Sequence, residues 1–108
     1  MLSIEDLINQ IKSYNPNADF DLIKKSYDYG FNAHKGQYRA SGEIYFTHPV
    51  QVAKIVIDLK LDESTIKTAL LHDTVEDTDS SLNQLEIVFG SEVSQLVDGV
   101  TKLSLIHI

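Results

Sequence analysis

The sequence contains no cysteine, and this absence limits the kinds of site that the chain can build. Disulfide bonds and thiolate zinc sites are both excluded, so any metal ion would have to be held by imidazole and carboxylate groups. A chain without cysteine also suits a reducing compartment. We therefore expect a cytoplasmic protein without a disulfide framework.

Basic residues are scarce as well. Lysine and arginine total 9 against 16 aspartate and glutamate residues, which gives a formal net charge of −7. Because proteins hold the phosphates of nucleic acids with clustered lysine and arginine, neither DNA nor RNA is an expected partner. An acidic protein can still bind a nucleotide locally through a cation.

Long apolar runs are also missing. No apolar segment approaches the ~20 residues that a membrane-spanning helix needs. The N-terminal segment 1–6 lacks the basic region and the apolar core of a secretory signal. The sequence thus predicts neither export nor insertion into a membrane.

Proline and glycine are few, at 2 and 5 residues, which argues against the fibrous and disordered classes. The length of 108 residues fits a single domain, 1–108. Apolar residues recur with helical spacing along most of the chain, and no segment makes a convincing strand. We predict an all-α fold, a compact bundle of about six helices with mostly short connections.

Several residues are predicted to begin helices. Ser3 and Asp19 are candidate N-caps of the first two helices, and Asp62 is the candidate N-cap of the fourth. Thr47 is predicted to cap the third helix, with Pro49 in its first turn. The core-facing positions predicted for this third helix are Val52, Ile55, Val56 and Leu59.

The last two helices are predicted from similar signals. Ser81 followed by Gln84 resembles a capping box and is predicted to open the fifth helix. Ser91 is predicted to open the sixth helix. The core-facing stripe predicted for the sixth helix contains Val93, Leu96, Val97 and Val100.

A polar segment interrupts the helical pattern between residues 35 and 47. It contains Gly36 and Gly42, and Ser41 with Gly42 forms a turn signal. We interpret this segment as a long loop or a small hairpin. Long loops inside compact helical domains often carry function, although a solvated connector would have a similar composition.

The densest group of chemically active side chains follows the fourth predicted helix, in segment 70–78. It places His72, Asp73, Glu76 and Asp77 within six residues. If the segment continues as a helix at about 100° per residue, these four polar groups share one broad face. Crowded carboxylates disfavour one another's ionisation, and a bound divalent cation would offset that cost. A solvated acidic turn is the alternative interpretation.

Several motifs occur in order along the chain, at residues 33–39, 41–43, 48–49, 72–78 and 96–102. Together they resemble the N-terminal hydrolase domain of the RelA/SpoT family, a branch of the helical HD metal-dependent phosphohydrolases. The resemblance runs from about residue 27 to residue 103. It implies hydrolysis of guanosine tetra- and pentaphosphate at the 3′-pyrophosphate, as in the stringent response, giving GDP or GTP and pyrophosphate with the help of a manganese ion.

The resemblance also implies roles for residues of the predicted centre. His48, His72 and Asp73 match metal ligands of the family. Glu76 and Asp77 match the pair that orients or deprotonates the attacking water. Two imidazoles and a carboxylate suit manganese, and a cation held in this way can supply a nucleophile near neutral pH.

Three further residues match nucleotide-binding positions of the family. Arg39 matches a residue that packs on guanine, and Ser41 and Tyr45 lie in the same nucleotide loop. Ala40 stands where a basic residue is usual, and we expect weaker nucleotide contacts from it. His34 also matches the family, and we interpret it as a histidine that supports the structure around the site rather than as a metal ligand.

The C-terminal segment 103–108 departs from the family pattern. The family continues into further helices, one of which carries an aspartate that completes the metal ligands, so we expect a domain that is incomplete at this end. Weak metal binding, and self-association through the apolar face of the last helix, are expected as a result. Three functions remain open: an active pyrophosphohydrolase, a nucleotide-binding remnant without turnover, and a helical interaction domain.

Overall fold

The computed structural model describes residues 2–74 and 79–106, and this part of the chain forms six α-helices and no strand. The predicted all-α class is therefore confirmed. None of the described helices is both long enough and apolar enough to cross a membrane. The helices are α1 (Ile4–Lys12), α2 (Phe20–Ala33), α3 (Thr47–Asp58), α4 (Glu63–Leu71), α5 (Asp79–Phe89) and α6 (Ser91–Ile106).

Three helices begin at the N-caps that the sequence predicts. The Ser3 hydroxyl accepts a hydrogen bond from Asp6 N at 3.2 Å, and the Asp6 carboxylate accepts one from Ser3 N at 3.4 Å, which completes a capping box. Asp19 and Asp62 each accept from the backbone N–H three residues later, at 3.1 Å and 2.9 Å. Such a cap typically contributes about 1 kcal/mol.

Two predicted helix starts are wrong. Thr47 is the first residue of α3 rather than its N-cap; Phe46 occupies the cap position and offers no side-chain hydrogen bond. Phe46 is only 1% exposed, so packing fixes this end of α3 where a cap would otherwise do so. Helix α5 begins at Asp79 and therefore already includes Ser81.

The predicted core face of α3 is also wrong. Ile55 and Leu59 are 59% and 65% exposed, while Val52 and Val56 lie only partly buried beside the core. Most positions of α3 are apolar, so two overlapping stripes of helical period fit the sequence, and periodicity alone does not choose between them. The residues that α3 buries are Thr47, Pro49, Val50, Ala53 and Ile57.

Helix α4 lies at the centre of the molecule, where it packs against α2, α3 and α6. All six residues from 66 to 71 are buried. Leu70 belongs to a core cluster shared by α1 to α4, whereas its neighbour Leu71 belongs to a second cluster with α5 and α6. Full burial of one such side chain contributes about 1.5–3 kcal/mol. The C-terminal end of α4 is therefore held from two sides.

Gly30 allows α2 to approach α4 closely. A Cβ atom at this position would lie 2.5 Å from Phe46 Cε1 and 2.7 Å from the carbonyl oxygen of Leu70. Only glycine leaves room for both neighbours. The helix continues through Gly30 to Ala33 and ends beside the polar segment.

Half of the apolar stripe predicted for α6 is buried within the domain. Val93 and Val97 are 1% and 0% exposed, because α5 and the end of α4 cover them. Leu96 and Val100 are 39% and 36% exposed. Self-association through this face stays a prediction, now limited to a smaller apolar area.

Candidate metal centre

The candidate centre begins where α4 ends. The α-helix stops at Leu71, and residues His72–Thr74 form a 3₁₀ turn, so the α-helical continuation on which the shared polar face depends does not hold for these residues. The Thr74 hydroxyl donates to the carbonyl oxygen of Leu71 at 2.7 Å, and a side chain that bonds the local backbone in this way competes with the helical pattern. Glu76 and Asp77 lie outside the described residues.

The backbone fixes the ring of His72. Its Nδ1 lies 2.9 Å from the carbonyl oxygen of Ala69, which can only accept, so Nδ1 carries the hydrogen of this bond. In the neutral imidazole, Nε2 is then left with a free lone pair. Nε2 lies 3.1 Å from Oδ1 of Asp73, which is also an acceptor when ionised. A proton or a cation between the two atoms would remove the repulsion between their lone pairs.

His48, in the first turn of α3, completes the group. Its ring centroid lies 6.5 Å from that of His72. Each of three partly buried residues, His48, His72 and Asp73, offers one possible ligand atom. These three atoms lie within 4.8 Å of one another. Bonds from ligand atoms to a divalent ion such as zinc are about 2.0–2.3 Å long. Two ligand atoms on opposite sides of one ion therefore lie up to ~4.6 Å apart. Two nitrogens and one oxygen at this spacing fit a divalent cation after small side-chain movements.

The polar segment after α2 folds as a small hairpin, one of the two predicted forms. Tyr38 and Ile44 form an antiparallel bridge. Arg39 N donates to the Glu43 carbonyl oxygen at 2.8 Å. The turn needs Gly42, whose φ of 92° lies in the left-handed region that glycine favours. The hairpin projects next to the first turn of α3, which carries His48.

The three predicted nucleotide-binding residues differ in where they lie. Arg39 and Ser41 are exposed on the hairpin, and the Ser41 hydroxyl donates to the Glu43 carboxylate at 3.4 Å. Tyr45 is partly buried, and its hydroxyl donates to Oδ2 of Asp73 at 3.4 Å. The structure therefore brings Tyr45 to the candidate metal centre and leaves Arg39 and Ser41 on the surface beside it.

His34 lies beside the centre but outside the group of possible ligands. It is 4% exposed, and its Nδ1 lies 3.0 Å from Oε1 of Gln37. Its ring packs on Tyr45 with 4.7 Å between centroids. The residues predicted for the site do not include Gln37 and Thr74, which also make contacts there. A threonine three residues after a helical carbonyl is a local signal for the Thr74 bond, whereas the Gln37 contact depends on the fold.

Comparison with known proteins agrees with this geometry. Residues 26–108 match the HD domain family. Over 94 residues the chain is 55% identical to a GTP pyrophosphokinase of Myxococcus xanthus, covering 87% of this chain and 12% of that protein. Over 103 residues, or 95% of this chain, it is 44% identical to two Escherichia coli proteins: the bifunctional (p)ppGpp synthase/hydrolase SpoT of strain K12 and a guanosine-3′,5′-bis(diphosphate) 3′-pyrophosphohydrolase of O157:H7.

These relatives are much longer proteins. The chain spans 15% of the length of each of the two Escherichia coli proteins. The matched part includes the hairpin, the first turn of α3 and the His-Asp segment. The chain therefore belongs to the HD domain family and, within it, its predicted resemblance to the HD domain of the RelA/SpoT proteins is confirmed.

Proposed function

We propose that this HD domain hydrolyses guanosine tetra- and pentaphosphate at the 3′-pyrophosphate, releasing pyrophosphate and leaving GDP or GTP. The observation that carries the proposal is the convergence of His48, His72 and Asp73 at the end of α4. Two relatives whose names include hydrolysis of this nucleotide support the choice of substrate. The proposed cofactor is Mn²⁺, which accepts imidazole and carboxylate ligands.

The orientation of the proposed ligands supports this function. The hydrogen bond from His72 Nδ1 to Ala69 O directs Nε2 toward Asp73, and the start of α3 places His48 beside them. When bound, a divalent cation lowers the pKa of water and offsets negative charge on phosphoryl oxygens. We assign Glu76 and Asp77 to orienting or deprotonating the attacking water, which is the role implied by their match to the family.

The hairpin is the proposed nucleotide contact. Arg39 is exposed there, so its planar guanidinium is free to pack on the guanine ring. Ser41 and Tyr45 are proposed to contact the same nucleotide from the hairpin. Ala40 adds no charge next to Arg39, and the proposed affinity for phosphates is correspondingly lower.

The decisive experiment is to measure pyrophosphate release from guanosine tetraphosphate with and without added Mn²⁺. We expect release that depends on the metal and stops with a chelator, with GDP as the second product. Asp73→Asn is the negative control, and Asp58→Asn, an exposed aspartate of α3 paired with Lys54, is the matched control. Nucleotide binding without release would indicate a binding domain instead. If the chain shows no nucleotide binding and no pyrophosphate release, a helical interaction domain is favoured.

A further inference from the structure

Both carboxylate oxygens of Asp73 have a neighbour in the structure. Oδ1 faces His72 Nε2 at 3.1 Å, and Oδ2 accepts a hydrogen bond from the Tyr45 hydroxyl at 3.4 Å. Tyr45 is 28 residues away in sequence, so this bond ties the hairpin to the end of α4. It also limits rotation of the carboxylate, because turning it would break the contact with the phenol.

Tyr45 is itself held at both its backbone and its ring. Its backbone N–H donates to the carbonyl oxygen of Gln37 at 2.9 Å. Its ring packs on the imidazole of His34 at 4.7 Å between centroids, with 38° between the ring planes. The side chains of His34 and Gln37 are joined in turn, with 3.0 Å between Nδ1 and Oε1. Tyr45 therefore has little freedom to move its hydroxyl away from Asp73.

His34 is in turn fixed by the core. It caps the C-terminal end of α2 and stacks near Phe46, with 6.5 Å between centroids. His34 is 4% exposed, so the core holds its ring in place against the ring of Tyr45.

We propose that Tyr45 is a positioning residue of the metal centre, which holds Asp73 in its ligand orientation and is itself held by His34 and Gln37. This inference rests on the proposed function, since it requires a metal at His48, His72 and Asp73. It assigns Tyr45 a task that does not involve the nucleotide. Loss of an outer hydrogen bond to a metal ligand typically lowers metal affinity by about 10–100-fold, and the 3.4 Å contact places the expected loss near the lower value.

The first test is the affinity of the whole chain for Mn²⁺, measured without nucleotide by the electron paramagnetic resonance signal of free Mn²⁺. Tyr45→Phe keeps the ring and removes the hydroxyl, and we expect its Kd to rise about tenfold. The matched control is Tyr29→Phe, which removes a hydroxyl bonded to Gln84 between α2 and α5 and should bind as the wild type does. Equal affinities of Tyr45→Phe and the wild type would overturn the inference while leaving the metal centre intact. No binding by the wild type would overturn both.

A spectroscopic test begins with the wild-type chain. If the Tyr45 hydroxyl bonds a metal ligand, Mn²⁺ binding should perturb tyrosine absorbance in the wild-type chain. The perturbation should persist in Tyr29→Phe and disappear in Tyr45→Phe. A wild-type difference spectrum without a tyrosine component would contradict the inference.

The role of Gln37 is tested by a double variant. Gln37→Leu should weaken Mn²⁺ binding when Tyr45 is present, because His34 loses its side-chain partner and supports the Tyr45 ring less firmly. In Tyr45→Phe the same change should have almost no further effect, since residues that act through one another are not additive. Fully additive losses would show that Gln37 acts by another route and would remove it from the proposal.

Discussion

Nε2 of His72 lies 3.1 Å from Oδ1 of Asp73, the next residue in the chain. The two groups meet because the 3₁₀ turn at the end of α4 directs both side chains to one side, while Ala69 O holds the other ring nitrogen of His72. Two acceptors this close repel each other unless a positive charge lies between them. A cation held by both atoms would turn this repulsion into a favourable arrangement.

Replacement of Asp73 by asparagine should weaken metal binding without destabilising the fold. Asp73→Asn removes the anionic ligand, and we expect Mn²⁺ affinity to fall by more than the roughly 10–100-fold typical of outer hydrogen bonds. Thermal unfolding of the metal-free protein should change little, because Asp73 is only partly buried. Titration calorimetry with Mn²⁺, alongside Asp58→Asn, measures the effect. Unchanged affinity would show that Asp73 is not a ligand.

Glu76 and Asp77 are predicted to act on the attacking water and not on the metal. Glu76→Gln should therefore bind Mn²⁺ nearly as the wild type does, yet turn over guanosine tetraphosphate at least about 100-fold more slowly, as is usual for loss of a general acid or base. Asp77→Asn should behave similarly. Both variants require a metal titration and a rate measurement on the same sample. Loss of metal with an unchanged residual rate would contradict the assignment.

Gly30 is predicted to be essential for packing. Gly30→Ala would put a methyl group 2.5 Å from Phe46 and 2.7 Å from the backbone oxygen of Leu70. We expect the free energy of unfolding to fall by about 1–3 kcal/mol, as for other overpacked cores. Gly99→Ala is the control, because in the described part of the chain a Cβ there meets no atom within 4 Å beyond its chain neighbours and the backbone of its own helix. That change in helix α6 should raise the free energy of unfolding by about 0.5–1 kcal/mol. Urea unfolding compares the two variants, and equal effects would contradict the packing argument.

The cap of α4 should make stability depend on pH in the acidic range. Hydrogen bonds from the hydroxyl and backbone N–H of Thr65 hold the pKa of Asp62 below its usual value of 3.8. A carboxyl whose pKa is lowered by folding adds stability above its unfolded-state pKa and loses that contribution as the pH falls through the folded-state value. The stability difference between wild type and Asp62→Ala should thus be constant near neutral pH and shrink below pH 3.8.

Asp62→Asn provides the control for this titration. Asparagine caps helices about as well as aspartate but does not ionise. Relative to Asp62→Ala, its advantage should therefore persist into the acidic range. Urea unfolding at a series of pH values measures all three proteins. A wild-type advantage that stays constant below pH 3.8 would mean that Asp62 does not titrate with folding.

The features that the sequence predicted correctly depend on neighbouring residues. The caps Ser3, Asp19 and Asp62 bond the backbone three residues away, so a short pattern is enough to identify them. The core face of α3 depends on which side of the helix meets α4. Most positions of α3 are apolar, so the sequence does not determine that side. Motif order supplied the pairing of His48 with His72, whereas the link from Tyr45 to Asp73 appeared only with the hairpin in three dimensions.

The division of the core between Leu70 and Leu71 has a consequence for local unfolding. Helices α5 and α6 pack mainly on the cluster that contains Leu71, so they can open together while the cluster of α1 to α4 stays closed. Such an opening would expose Leu71 and loosen the turn that carries His72 and Asp73. A metal held by that turn would resist the opening, because it binds only the closed form. Amide hydrogens of α5 and α6 would then exchange more slowly with solvent when the ion is present, although neither helix supplies a described ligand.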